Sequence, residues 1–164
     1  MGQAKAREGA VQCVLRLLAY RQRSVKEAQE KLESKGFSPE EIRTAIDHLS
    51  RLGYLNDEKF AHALVESRST GRRWGIRKIA AELISKGIDA DTVRQALSGL
   101  GHAAEAAAGR EAVKKWLKER GVRPPLSSKD FERAMRHLLT RGFQASLALD
   151  ILSAYRKADT DEVQ

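Results

Sequence analysis

Residues 24–49 read SVKEAQEKLESKGFSPEEIRTAIDHL, and residues 75–100 return to the same pattern as GIRKIAAELISKGIDADTVRQALSGL. A third copy, DFERAMRHLLTRGFQASLALDILSAY, occupies 130–155, and all three align without a gap. The apolar columns coincide: Val25, Ile76 and Phe131; Ala28, Ile79 and Ala134; Leu32, Leu83 and Leu138. They resume beyond a shared glycine with Phe37, Ile88 and Phe143, then with Ala45, Ala96 and Ile151. Spacings of three and four on either side of the glycine predict two helices, with the phase reset between them. The glycine is Gly36, Gly87 or Gly142, each preceded by a cation: Lys35, Lys86 or Arg141. A glycine just past a helix end supplies positive φ, and a cation there is expected beside the last carbonyls.

The neighbouring residues sharpen the boundaries. Ser38-Pro39-Glu40-Glu41 offers a serine cap, a proline at the first helical position and a glutamate for a capping box. Asp89 is the expected cap of the matching helix in the second copy, whereas Gln144 in the third is a poor one. A further amphipathic helix precedes each pair. Val11, Val14, Leu15 and Leu18 form its first stripe; Phe60, Ala63 and Leu64 the second; Ala112, Val113, Trp116 and Leu117 the third. Asn56 is expected to cap the middle one. The product is an all-α chain of three tandem three-helix, helix-turn-helix-like repeats over 6–52, 53–101 and 102–157. An acidic, apolar-poor tail over 158–164 is expected to be disordered. Units of this size bury little surface alone, so neighbours are expected to stack.

Composition agrees and narrows the function classes. The chain has 164 residues, 30 Lys plus Arg against 22 Asp plus Glu, and aromatic residues at 5%. Few aromatic and β-branched residues among many Ala, Leu, Glu, Lys and Arg favour helix over sheet. A single cysteine, Cys13, excludes an intrachain disulfide and every cysteine-based zinc cluster. No apolar run is long enough to span a membrane, and the opening MGQAKAREGAVQ has no apolar signal core, so a cytoplasmic location is expected. His48, His62, His102 and His137 share no metal-ligand spacing, and no glycine-rich loop continues as a phosphate-binding motif. Neither a catalytic centre, a metal nor a cofactor is expected.

GYLND at 53–57, followed by Phe60-Ala61, Gly75, Ile79, Glu82-Leu83 and Lys86-Gly87-Ile88, resembles the signature of the RecX regulatory proteins. The resemblance covers roughly residues 10–157. It implies an elongated, curved monomer of tandem three-helix repeats in the bacterial cytosol. It also implies that the protein binds the RecA recombinase filament, in its helical groove, and modulates it, usually by inhibition. Some members of the family bind DNA, single- or double-stranded, as well. The third repeat matches only through its apolar columns and glycine.

The charge distribution marks where binding is expected. Segment 72–86 sets Arg72, Arg73, Arg77, Lys78 and Lys86 against Glu82 alone. Segment 110–123 sets Arg110, Lys114, Lys115, Lys118, Arg120 and Arg123 against Glu111 and Glu119. Such clusters meet phosphates or an acidic protein surface. A solvated helix face explains Lys115 or Lys118 taken singly, but not the set. Trp74, in the turn TGRRWG, reads either as a lid on the helix junction or as an exposed anchor between arginines. Trp116 shares a face with Val113 and Leu117 and belongs to the core.

An alternative is a DNA-binding helix-turn-helix module acting without recombinase, each third helix reading the major groove. The third helices oppose it: Glu40, Glu41, Asp47 and Asp89, Asp91 outnumber Arg43, Arg51 and Arg94 there. Acids at the helix starts that would enter the groove disfavour phosphate contact. The positive charge lies instead on first and second helices and on turns.

Overall fold

The computed structural model describes residues 9–156, which fold into nine α-helices and contain no strand among the described residues. The tail over 158–164 lies outside the described residues. The helices are α1 (Ala10–Leu18), α2 (Val25–Ser34), α3 (Pro39–Arg51), α4 (Asp57–Glu66), α5 (Ile76–Ser85), α6 (Ala90–Ser98), α7 (His102–Arg120), α8 (Ser128–Thr140) and α9 (Ala145–Ser153). Local sequence chemistry sets their ends as expected. The Ser38–Glu41 capping box forms in both directions, the Ser38 amide donating to Glu41 Oε2 at 2.7 Å. Asn56 Oδ1 accepts from the Lys59 amide at 2.8 Å, and Asp89 Oδ1 from the Thr92 amide at 2.9 Å. Gln144 makes no side-chain cap.

The three column glycines are the same device used three times. Their φ angles are 76° at Gly36, 81° at Gly87 and 87° at Gly142. Each glycine amide donates to the carbonyl three residues back, and the next amide donates to the column leucine: Phe37 to Leu32, Ile88 to Leu83, Phe143 to Leu138. The paired bonds satisfy carbonyls that the helix end would leave open and turn the following apolar residue back onto that leucine.

Packing gathers the described residues into two compact units, one running to Ala63 and including Leu83–Val93, the other combining Leu64–Glu82 with the chain from Arg94 on. In the first, α1, α2 and α3 pack pairwise around Val14, Ala28, Leu32, Ala45 and Leu49. Cys13 is buried there as a free thiol. In the second, α7, α8 and α9 enclose Val113, Trp116, Leu138, Phe143, Ile151 and Leu152. The column residues Ala28, Ile79 and Ala134 and the column leucines are all but inaccessible.

Three sequence expectations change. In α4 the buried alanine is Ala61, and Ala63 faces solvent, because Phe60, Ala61, Leu64 and Val65 form the inward stripe. The chain does not turn directly after α4: a π-helical segment, Ser67–Gly71, extends it, with Thr70 Oγ1 bonded to the Glu66 carbonyl at 2.7 Å. The cations before the glycines do not all serve their own helix ends. Lys86 Nζ reaches Glu27 at 2.5 Å, and the Arg141 guanidinium reaches the Arg72 carbonyl and His137.

A junction absent from the local reading recurs in both units. The amide of Val25, the first residue of α2, donates to Asp57 Oδ1 on α4 at 2.9 Å. The amide of Ile76, the first residue of α5, donates to Glu105 Oε1 on α7 at 2.9 Å. Each second helix thus has its exposed amide end capped by an acid from the first helix of the next repeat. Lysines complete the match: Lys26 Nζ donates to the Ser85 carbonyl at 3.1 Å, and Lys78 Nζ to the equivalent Thr140 carbonyl at 3.3 Å. Burial pushes the Asp57 carboxyl upward, against the hydrogen bond from Val25 and with the help of nearby Asp89. At Glu27, burial also favours the neutral acid. Hydrogen bonds from Arg21 and Lys86 outweigh it and hold the pKa down at about 2.

Candidate binding site

The second unit carries the residues that the charge pattern selected, except Lys86, which belongs to the first unit. Its central feature is the turn between the π-helical segment and α5. There the Gly75 amide donates to the Arg141 carbonyl at 2.8 Å and the Arg77 amide to the Gly142 carbonyl at 3.2 Å. The approach is so close that a Cβ on Gly75 would fall on the Gly142 carbonyl, and a Cβ on Gly142 would fall on the Lys78 backbone. Two glycines therefore let the end of α8 seat against the start of α5.

Arg72, Arg73, Trp74, Lys115 and Arg141, with Gly71 and Ala112, line one open cleft of about 280 Å³. Arg73 adopts a left-handed conformation, φ 54°, which turns the chain sharply between Arg72 and Trp74. Arg141 Nη1 bonds the Arg72 carbonyl at 2.7 Å and fixes that turn to α8. Trp74 is half-buried, and three cations stand over its ring: Lys78 Nζ at 4.4 Å, and the Arg68 and Arg72 guanidinium carbons each at 5.5 Å. It is neither a full lid nor an open stacking platform. The ring's negative faces hold cations in place that would otherwise repel one another.

Pairing within the unit decides how much charge remains. Glu82, the only acid of segment 72–86, accepts both Arg68 Nε at 2.7 Å and Arg68 Nη2 at 2.6 Å. That bidentate bond raises the already high pKa of Arg68 further. Glu82 is therefore committed upstream, and the positive charge of Arg72, Arg77 and Lys78 is larger than the segment count suggested. On α7 the outcome is opposite. Lys114 pairs with Glu111 at 2.9 Å and Lys115 lies 3.7 Å from Glu119. The hydrogen bond from Lys114, and Arg73 nearby, lower the Glu111 carboxyl.

The selected residues thus divide. Arg72, Arg73, Trp74, Lys78 and Lys115 come together, and Arg77 is exposed at the second position of α5. Arg120 lies elsewhere, over the Trp116 ring at 6.0 Å, in a second cleft with Arg133, Arg136 and His137. Arg110, Lys114, Lys118 and Arg123 are exposed and line neither cleft. Trp116 is buried, as expected of a core residue. Arg68, Arg133, Arg136 and Arg141 are additions to the sequence-derived set. The spacing of Arg133, Arg136 and Thr140 at i, i+3 and i+7 would have placed them on one stripe of α8.

An all-helical chain in which a helix–glycine–helix pattern recurs, with cations gathered around Trp74, defines a helical-repeat protein. Comparison with known proteins makes the class specific. Residues 10–49 match the family model described as RecX, first three-helix domain, and residues 56–97 the one described as RecX, second three-helix domain. "Regulatory protein RecX" of Thermobifida fusca is 34% identical over 149 residues, covering 91% of this chain and 80% of that protein. The protein of the same name from Bacillus subtilis is 36% identical over 152 residues, 90% of this chain and 56% of its own length. The crystal structure of RecX from Lactobacillus salivarius superposes with a TM-score of 0.75 at 24% identity, covering 89% of this chain and 94% of that one. The chain belongs to the RecX family of regulatory proteins.

Proposed function

We propose that the protein is a non-enzymatic regulator that binds the RecA recombinase–DNA filament and represses its ATPase, strand-exchange and co-protease activities. Membership of the RecX family supports the recombinase as partner. The observation that carries the binding mode is the Trp74 cleft, where Arg72, Arg73, Lys115 and Arg141 converge while Glu82 is held by Arg68. Repeats 6–52, 53–101 and 102–157 act as successive contact modules of a monomeric, cytoplasmic protein that needs no cofactor. Seated on the filament, they occlude recombinase protomers from extension or strand exchange, the cations of 72–78 facing acidic recombinase surface or filament DNA. Arg110, Lys114, Lys118, Arg120 and Arg123 contribute long-range attraction, those paired with acids least.

The test is ATP hydrolysis by recombinase assembled on single-stranded DNA, titrated with the protein. Hydrolysis is expected to fall as the protein co-sediments with the filament. Unchanged hydrolysis with no co-sedimentation would overturn the proposal. Binding to naked DNA that does not strengthen when recombinase is present would favour the DNA-module reading instead.

A further inference from the structure

The second cleft of the C-terminal unit is a different site from the one just described, and the charge pattern did not select most of it. Its volume is about 350 Å³, enough for a nucleotide-sized group. It is lined by Trp116 and Arg120 from α7 and by Arg133, Arg136, His137 and Thr140 from α8. We propose that this cleft is a phosphate-binding site, taking a phosphate ester carried by a free nucleotide or by a nucleic-acid strand.

Three guanidinium groups reach one concave surface from two helices. Arg120 is set over the buried Trp116, and Trp116 in turn lies 6.1 Å from the half-buried His137 ring, so both rings line the cleft beside the guanidinium groups. The acids nearby are few. Asp130 accepts from Arg133 Nη1 at 3.3 Å, and Glu119 on α7 is engaged by Lys115. Arg120 and Arg136 form no ion pair with an acid among the described residues. His137 cannot add an acceptor: its Nε2 already accepts from Arg141 Nε at 2.9 Å, which leaves the proton on Nδ1. Thr140 supplies a hydroxyl whose own proton goes to the His137 carbonyl, at 2.9 Å.

This donor-rich, acceptor-poor geometry distinguishes between anions. A carboxylate has two oxygens and is satisfied by one guanidinium fork. A phosphate offers three or more oxygens to forks arriving from separate directions, and converging arginines match it. An acidic peptide would instead be served by cations strung along a surface. The site does not rest on the recombinase reading, in which Arg120 alone of its lining residues takes part.

The test is calorimetric titration of the full chain with inorganic pyrophosphate, ATP, a short 5′-phosphorylated single-stranded oligonucleotide, and poly-glutamate. Saturable binding of pyrophosphate is expected, weakened at least about tenfold by the double substitution Arg120→Ala with Arg136→Ala. Arg43→Ala should leave it within about twofold, because Arg43 is exposed on α3 and lines neither basic cleft. Tighter binding of ATP than of the oligonucleotide identifies a free nucleotide as the source, and the reverse order identifies a strand. Circular dichroism of the double variant checks that helix content is kept, and Arg136→Gln, which removes one exposed charge, repeats the test more gently. No saturable binding of any phosphate probe overturns the proposal. So does equal affinity in the substituted chains, or poly-glutamate binding as well as pyrophosphate through the same arginines.

Discussion

Substituting Gly142 by alanine isolates the contact that builds the Trp74 cleft. Gly142 has φ 87°, where an L-residue carries strain of about 1–2 kcal/mol. The new methyl would lie 2.9 Å from Lys78 Cα and nearer still to the Lys78 amide nitrogen. These are backbone atoms inside α5, so no rotamer change relieves the overlap, and the turn must retreat at an overpacking cost of about 1–3 kcal/mol. Retreat stretches the bonds from the Gly75 and Arg77 amides to the Arg141 and Gly142 carbonyls. Each is worth about 0.5–1.5 kcal/mol. Part of the overlap and part of the stretching relieve each other, giving an expected total of about 3–5 kcal/mol. Gly121 provides the control: its φ is 63°, yet a Cβ there meets nothing within 4 Å. Gly121→Ala should therefore cost only the conformational strain, about 1–2 kcal/mol. Urea unfolding followed by helical circular dichroism measures both. Equal losses in the two variants would refute the claim that the α8 turn is seated against α5.

Leu83→Ala, at a column leucine with 0% exposure, is expected to cost about 2–5 kcal/mol in the same assay; a melt like that of the unaltered chain would contradict its burial. Glu27 makes a pH prediction. Its folded pKa of about 2 lies below the ordinary 4.5, so its stabilisation is complete above about pH 4.5 and is lost as the pH falls toward 2. The contribution is at most about 3 kcal/mol, reduced by the half-exposed Arg21 partner. Glu27→Gln should flatten that acid limb, and an unchanged pH profile would show the carboxylate to be idle.

The helices were readable because their signals are local. Ser38, Asn56 and Asp89 cap helices that begin within three residues of them, and the column glycines close helices whose leucines lie four residues back. The exposed Ala63 and the π-helical extension to Gly71 were not readable, since small residues at a helix boundary fit either face and Thr70 bonds a carbonyl that an ordinary turn would have released. The binding site was half readable. Arg72, Arg73 and Trp74 are adjacent in sequence, but Arg141 joins them only through the seating of α8 on α5. The commitment of Glu82 to Arg68 likewise depends on tertiary geometry, as do the caps that Asp57 and Glu105 supply to distant helices. Arg133 and Arg136 share one stripe of α8, and only the fold sets Arg120 and Trp116 beside them in one cleft.

Co-sedimentation with recombinase filaments, comparing the unaltered chain with an Arg72→Ala, Arg73→Ala, Arg77→Ala variant at two salt concentrations, measures whether the Trp74 cleft holds the filament. The substituted side chains are exposed or half-buried and outside both cores, so stability should move by about 0.5 kcal/mol or less per site. Each guanidinium removed from a charged contact should weaken binding by about 1–3 kcal/mol. The variant is expected to stay folded and no longer to pellet with the filament at a concentration where the unaltered chain does, with the gap narrowing as salt rises. A folded variant that pellets as well as the unaltered chain at both salt concentrations would show that the cleft does not hold the filament.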